Sequence, residues 1–206
     1  MGCMGFVNLF SGAVAGRKQF LCLLAAAVLS WPVLAQQAVH SVPRTGLSAG
    51  FGNQVLLGKP YRYQVYLFHV SHQRPLWKKG ATAVEMIFMA QVNPTRFKKE
   101  DSQPDFISGL EYGVNAGALI RRPAFRNRHS IYGMISSGPH YVTDAPVRQK
   151  EGFLFCNYFA AGLTLCDKQR VPVDLRLGVR HISNLGIKEP NGGINNLFVA
   201  VTVYPF

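Results

Sequence analysis

The stretch "LEYGVNAGALI", residues 110–120, alternates between two kinds of side chain. One face carries Leu110, Tyr112, Val114, Ala116, Ala118 and Ile120; the other carries Glu111, Gly113, Asn115 and Gly117. A period of two predicts a β-strand with one apolar face. The opposite face combines small and polar residues, as expected where side chains line a narrow interior.

The same alternation recurs along the chain, and no segment shows a convincing helical period. The interpretation is all-β, with no internal repeat or second domain. Basic, turn-rich connections such as "NPTRFKKEDSQPD" separate the apolar stretches. Eight strands are predicted, at about residues 46–54, 60–70, 81–92, 107–120, 129–138, 152–165, 172–183 and 195–206.

Two architectures suit eight antiparallel strands of this length: a soluble lipocalin-like barrel with an apolar interior, and a membrane barrel with an apolar exterior. Strands of 10–12 residues match a tilted bilayer crossing. The chain ends "VAVTVYPF", which resembles the C-terminal strand of bacterial outer-membrane proteins. The sequence therefore favours an eight-stranded antiparallel transmembrane outer-membrane β-barrel.

The N-terminal residues indicate export. Arg17 and Lys18 precede an apolar run that ends in small residues at Val33 and Ala35. This order is typical of a secretory signal peptide. The alternative, a membrane-anchoring helix, is disfavoured because the run is shorter than the roughly 20 residues of a bilayer crossing. We expect a signal peptide at residues 1–35 and the barrel at 36–206.

The chain is basic, with a formal charge of +12 that falls to +10 when the signal peptide, which contains Arg17 and Lys18, is removed. An exported chain rarely meets nucleic acid, so anionic lipid head groups or lipopolysaccharide phosphates are the expected partners. A solvated basic surface is the alternative. Six basic residues fall on the outward connections: Arg96, Lys98, Lys99, Arg148, Lys150 and Lys188.

Two further groups have structural interpretations. A charged network inside the barrel is predicted from Glu85, Glu111, Asp174, Arg176 and Arg180. His69 and His72 are expected to end the second strand at the periplasmic rim.

The stretch "HISNLGIKEPNGGINN", residues 181–196, holds the candidate catalytic groups. His181 and Ser183 share the apolar face of the seventh strand, near its outer end, so the pair is expected to face the outer leaflet. A serine becomes a nucleophile when a nearby imidazole accepts its proton. By spacing alone, however, His-x-Ser is uninformative, and a polar interfacial rim before a turn is the alternative.

This stretch resembles the signature of the lipid A 3-O-deacylase family of PagL-like outer-membrane enzymes: His-x-Ser-Asn, then Gly, Pro-Asn and Gly. The resemblance implies an eight-stranded barrel that hydrolyses an ester-linked acyl chain of lipid A. It assigns Ser183 as nucleophile and His181 as base, and it places Asn184 and Gly186 in the oxyanion hole. Asn191 is a further side-chain donor candidate. No metal or organic cofactor is implied.

One position departs from the family pattern. The family carries a glutamate about twelve residues after the serine, where this chain has Asn195. An asparagine can orient the imidazole but supplies no negative charge. Asn196 and Glu189 are the alternative third members. A non-catalytic structural or interaction barrel that retains the motif is the alternative function, and a lipocalin-like binder is a third. The sequence leaves open whether the chain acts as a monomer or as a homodimer.

Overall fold

The computed structural model describes residues 43–54, 57, 61–100, 102, 104–125, 129–165 and 171–205. The predicted signal peptide, residues 1–35, lies outside these ranges. Among the described residues, no helix is long and apolar enough to span a membrane.

Eight antiparallel strands form a closed barrel in which each strand pairs with its neighbours in sequence and β1 pairs with β8. The strands are β1 Arg44–Asn53, β2 Tyr63–Lys79, β3 Thr82–Phe97, β4 Ile107–Ala124, β5 His129–Val142, β6 Gly152–Leu165, β7 Val173–Ser183 and β8 Ile194–Val203. The predicted architecture and the existence of all eight strands are confirmed.

The predicted end of the second strand is wrong, because β2 continues to Lys79. The polar residues after Val70 suggested a rim, yet Ser71 and Gln73 point into the polar interior and leave the strand intact. His69 and His72 therefore do not end the strand. His69 is buried inside the barrel, whereas His72 faces outward and bonds Thr45 Oγ1 through Nδ1 at 3.0 Å.

The two faces of the strands divide as the alternation predicts. On β4, Glu111, Asn115 and Leu119 are buried inside, whereas Val114 and Ile120 are more than half exposed outside. An apolar exterior around a partly ionic interior is the arrangement of a membrane barrel, and it excludes the lipocalin-like alternative.

The predicted charged residues all lie in the interior, where they pair with one another and with additional groups. Arg180 is fully buried and bonds both Glu111 and Asn196. Arg121 donates to Glu85 Oε1 at 2.9 Å. These ion pairs fill the narrow lumen together with Tyr132, whose ring packs where Gly162 has no side chain.

The connections differ at the two ends of the barrel. The connections between β1 and β2, β3 and β4, β5 and β6, and β7 and β8 lie at the end opposite the C-terminus. Each is about ten residues long, whereas a two-residue turn joins β2 to β3 at the other end. His181, Ser183 and Asn195 lie at the end with the long connections.

Candidate active site

His181 and Asn195 lie opposite each other on neighbouring strands, β7 and β8. Both side chains are on the outward face and half-buried. The Nδ1 atom of His181 is 2.8 Å from Asn195 Oδ1. Because an amide oxygen only accepts, this bond places the imidazole proton on Nδ1 and leaves the lone pair of Nε2 free to accept a proton.

Ser183 follows two residues later on β7, so its side chain is on the same outward face as that of His181. Residues two apart on a strand are separated by roughly 6.5–7 Å between Cα atoms. Ser183 is buried, with only 7% of its surface exposed. Among the described residues, none forms a hydrogen bond with its hydroxyl. Serine–histidine bonds in unliganded enzymes are often long and tighten in the substrate complex.

Neither alternative third member is bonded to His181. Asn196 points into the barrel, where it accepts from Arg180 Nη1 at 3.2 Å and donates to Tyr63 O at 3.1 Å. Glu189 lies in the exposed connection between β7 and β8 and accepts the N–H of Asn191 at 3.0 Å. Asn195 is therefore the group whose side chain orients the histidine.

Tyr61, in the connection before β2, bonds the backbone of Asn195 through its side chain. Its hydroxyl accepts the backbone N–H of Asn195 at 2.6 Å and lies 3.2 Å from the Asn195 carbonyl oxygen, to which it donates. Burial raises the pKa of Tyr61, so the phenol remains protonated and able to donate. The guanidinium of Arg148 stacks over the Tyr61 ring, 4.4 Å from its centroid.

Gly193 supports the histidine from the other side. Its φ is +65°, and a Cβ at this position would lie 2.8 Å from Cε1 of His181. The N–H of Gly193 donates to Oε1 of buried Gln149 at 3.0 Å. The imidazole therefore packs against a backbone that is itself fixed by a second connection.

Sequence reasoning missed Tyr61, Gln149 and Gly193. Tyr61 is 134 residues from Asn195, and no spacing in the sequence relates the two. A signal existed only for Gly193, because it follows Gly192 and two adjacent glycines mark a backbone with special dihedral angles.

The predicted oxyanion-hole residues lie together in the connection between β7 and β8, where they bond mainly one another. Asn184 accepts the Gly186 N–H through Oδ1 at 3.0 Å and donates through Nδ2 to Lys188 O. Asn191 accepts the Asn184 N–H at 3.0 Å through Oδ1. Within the part of the chain that the structure describes, no acceptor contacts Nδ2 of Asn191. In this conformation the donors of Asn184 and Gly186 are occupied by the loop itself.

The six predicted basic residues all lie at this end of the barrel, although Arg96 is in β3 and not in a connection, and most have a local partner. Lys99 and Lys150 form ion pairs with Asp144 and Glu151. Arg96 and Lys98 both stack over the ring of Phe106. Arg148 is placed on Tyr61, and Lys188 is exposed in the connection after β7.

An eight-stranded barrel with an apolar exterior and a His–Asn pair on that exterior belongs to the class of outer-membrane β-barrel proteins. Comparison with protein families matches residues 60–204 to lipid A 3-O-deacylase (PagL). The chain belongs to this family.

A solved structure gives the same fold. The crystal structure of the outer membrane enzyme PagL superposes with a TM-score of 0.59 at 14% sequence identity. The match covers 77% of this chain and 98% of that chain. A search of curated proteins gives no match. Family and fold together indicate an outer-membrane protein and suggest a lipid A deacylase.

Proposed function

We propose that this barrel is a serine esterase that hydrolyses an ester-linked acyl chain of lipid A. The observation that carries the proposal is the hydrogen bond of 2.8 Å between His181 Nδ1 and Asn195 Oδ1 on the outward face of the barrel. It fixes the imidazole in the tautomer that a general base needs, two residues from a hydroxyl on the same face. An enzyme whose substrate is a membrane lipid needs its catalytic groups on this face.

The reaction would proceed in two steps. Nε2 of His181 accepts the proton of Ser183 Oγ while this oxygen attacks the ester carbonyl carbon. The negative charge moves to the carbonyl oxygen, and the tetrahedral intermediate then expels the sugar alkoxide, which takes the proton from His181. Water, deprotonated by the same imidazole, then attacks the acyl–serine ester; the Ser183 oxygen leaves, takes the proton back from His181, and the fatty acid is released.

Because position 195 is an asparagine and not a glutamate, the proposed enzyme would be slower than one with a carboxylate there, but it would still catalyse ester hydrolysis. Asn195 orients the ring through Oδ1, as a carboxylate would, but adds no negative charge to stabilise the imidazolium. A serine hydrolase with an asparagine in this role relies on orientation of the histidine and on oxyanion stabilisation, because the third residue carries no negative charge. Arg148, Lys150 and Lys188, on the two long connections next to the site, would attract the phosphates of lipid A from the outer leaflet.

The test is fatty-acid release from lipopolysaccharide by the purified, refolded barrel, followed by mass spectrometry of the lipid and of the released acid. We expect the wild type to remove one ester-linked chain, whereas Ser183→Ala and His181→Ala lower the rate by at least about 10³-fold. Both variants should retain the heat-modifiable mobility of a folded barrel. Identical mass spectra for the wild type and Ser183→Ala would favour a non-catalytic outer-membrane barrel.

A further inference from the structure

Four polar side chains form a continuous row on the outward face of β5 to β8. Ser137 pairs with Asn157, Asn157 pairs with His181, and His181 pairs with Asn195. We call these four residues the polar row. His181 and Asn195 are the candidate base and its partner, so the row extends the candidate site across two further strands.

The next outward row toward the C-terminal end of the barrel is entirely apolar. It contains Ile135, Phe159, Val179 and Leu197, which are paired in the same order. Outward side chains of these strands contact lipid, and a polar group placed there without a hydrogen bond costs about 1–3 kcal/mol. His181 and Asn195 bond each other, so this cost falls on the members of the polar row that lack a partner among the described residues, unless a ligand satisfies them.

Asn157 is the member of the row that most needs a ligand. Among the asparagines that the structure describes, it alone has a side chain with no hydrogen bond or other polar contact to the protein. By contrast, Asn115 in the interior bonds Gln91, His140 and the carbonyl of Cys156. The amide of Asn157 is half-buried beside His181, and both its donor and its acceptor are available.

The register also places Asn157 close to Ser183. Ser183 pairs directly with Phe155, so Asn157 is its diagonal neighbour on β6. Diagonal neighbours are about 7–8 Å apart, within reach of a long side chain or of a group bound between them. An ester carbonyl under attack by Ser183 Oγ would lie in this space.

The hydrogen-bond donors predicted from the sequence are not fully available to this carbonyl oxygen. The Gly186 N–H and the Asn184 amide both bond within their own connection. A tetrahedral intermediate needs donors aimed at the oxygen on which charge develops. The amide nitrogen of Asn157 is already on the reactive face and has no acceptor among the residues that the structure describes, so it meets that need without rearrangement of the loop.

We propose that Asn157 is a further catalytic residue, whose Nδ2–H donates a hydrogen bond to the carbonyl oxygen of the scissile acyl ester while the apolar row beneath it holds the acyl chain. This inference rests on the proposed esterase function. No proton is transferred by Asn157. Its hydrogen bond strengthens when the carbonyl oxygen becomes an oxyanion and weakens again when the intermediate collapses.

The experiment compares Asn157→Leu and Asn157→Asp with the wild type for fatty-acid release from purified lipopolysaccharide in detergent micelles. Both changes conserve the approximate size of the side chain and remove the donor. We expect kcat to fall about 100-fold in each, the size of loss that follows removal of one oxyanion donor, while KM changes less than about threefold.

The matched control is Gln64→Leu. Gln64 is a half-buried outward amide on β2, at the same end of the barrel but three strands from His181. This change should leave kcat and KM within about twofold of the wild type, because it removes a lipid-facing amide away from the site.

The outcomes separate this inference from the function on which it rests. An inactive wild type, indistinguishable from Ser183→Ala, overturns both. An active wild type with folded Asn157→Leu and Asn157→Asp variants of unchanged kcat overturns the role of Asn157 alone. Loss of activity in Asn157→Leu with full activity in Asn157→Asp also overturns it, since aspartate supplies no donor at neutral pH.

Discussion

The interior of the barrel and the outward face of β5 to β8 both carry polar side chains, but these side chains have far more protein hydrogen-bond partners in the interior. In the interior, the single side chain of Arg121 donates four hydrogen bonds, to Glu85, Ser130, Thr164 and Gln73. On the outward face, the polar row contains no carboxylate, lysine or arginine, and one side-chain bond is formed within it, between His181 and Asn195.

This difference separates the residues that hold the fold from those that await a ligand. Charged groups enclosed by the strands are stabilised by one another, because few other partners can reach them. Polar groups that face lipid gain a partner when a polar part of a lipid lies against them. Variants of the interior should therefore change stability, whereas variants around the polar row should change turnover.

The largest effect is expected from breaking the interior pair of Glu111 and Arg180, both of which are fully buried. Glu111→Leu leaves the Arg180 charge without its partner and should lower the free energy of unfolding by about 3–5 kcal/mol. The measurement is urea unfolding of the refolded barrel in lipid vesicles. The double variant Glu111→Leu, Arg180→Met should recover much of this loss. A single variant as stable as the wild type would show that the Glu111–Arg180 pair does not hold the fold.

Gly193→Ala should affect the reactive face instead. The added methyl group would approach His181 Cε1, and the φ of +65° adds backbone strain. Displacement of the imidazole by about 1 Å is expected to lower kcat roughly 100-fold. Acyl release is the measurement, with Gly80→Ala as the control, because Gly80 also has a positive φ (+55°) but lies in the turn at the opposite end. Equal activity of the two variants would show that the ring does not depend on Gly193.

Asn195→Asp sharpens the role of the missing carboxylate. The change is nearly isosteric, retains an acceptor for the His181 Nδ1 proton and adds the negative charge that the site lacks. We expect kcat to rise about tenfold, because the carboxylate stabilises the imidazolium in the transition state. Asn195→Leu, which removes the acceptor, provides the opposite arm and should lower kcat. A lower rate in both variants would mean that the amide NH₂ group of Asn195 is itself needed.

The smallest effect is expected for Tyr61→Phe, which removes the hydroxyl that bonds both backbone groups of Asn195. Loss of these bonds should cost about 1 kcal/mol and lower kcat by three- to tenfold through looser placement of Asn195. The same variant combined with Asn195→Leu should show little additional loss, since Tyr61 acts through Asn195. Full additivity of the two changes in kcat would contradict a positioning role for Tyr61.

Much of the fold could be predicted because strand parity is a local property. The pattern around Glu111 and Asn115 identified which face is interior, and the same parity placed His181 and Ser183 outside. The end of β2 could not be predicted, because polar residues such as Ser71 and Gln73 continue a strand only if a polar lumen is there to receive them.

The candidate site was predictable in part. The family signature singled out His181 and Ser183, and their roles remain predictions. The choice among Asn195, Asn196 and Glu189 depended on which side chain points outward beside the histidine, and that depends on the register between β7 and β8. Asn157 lies among apolar outward residues of β6, and its position beside His181 follows only from the pairing of β6 with β7.

The sequence by itself determined the two-faced strands, their number and the local motif, because alternation and spacing act within a few residues. Only the tertiary structure decided which distant groups meet: Tyr61 behind Asn195, Gln149 behind Gly193, and Asn157 beside His181. Those meetings depend on strand register and on the positions of the long connections. Barrel closure sets both, because it fixes each strand by two neighbours at once.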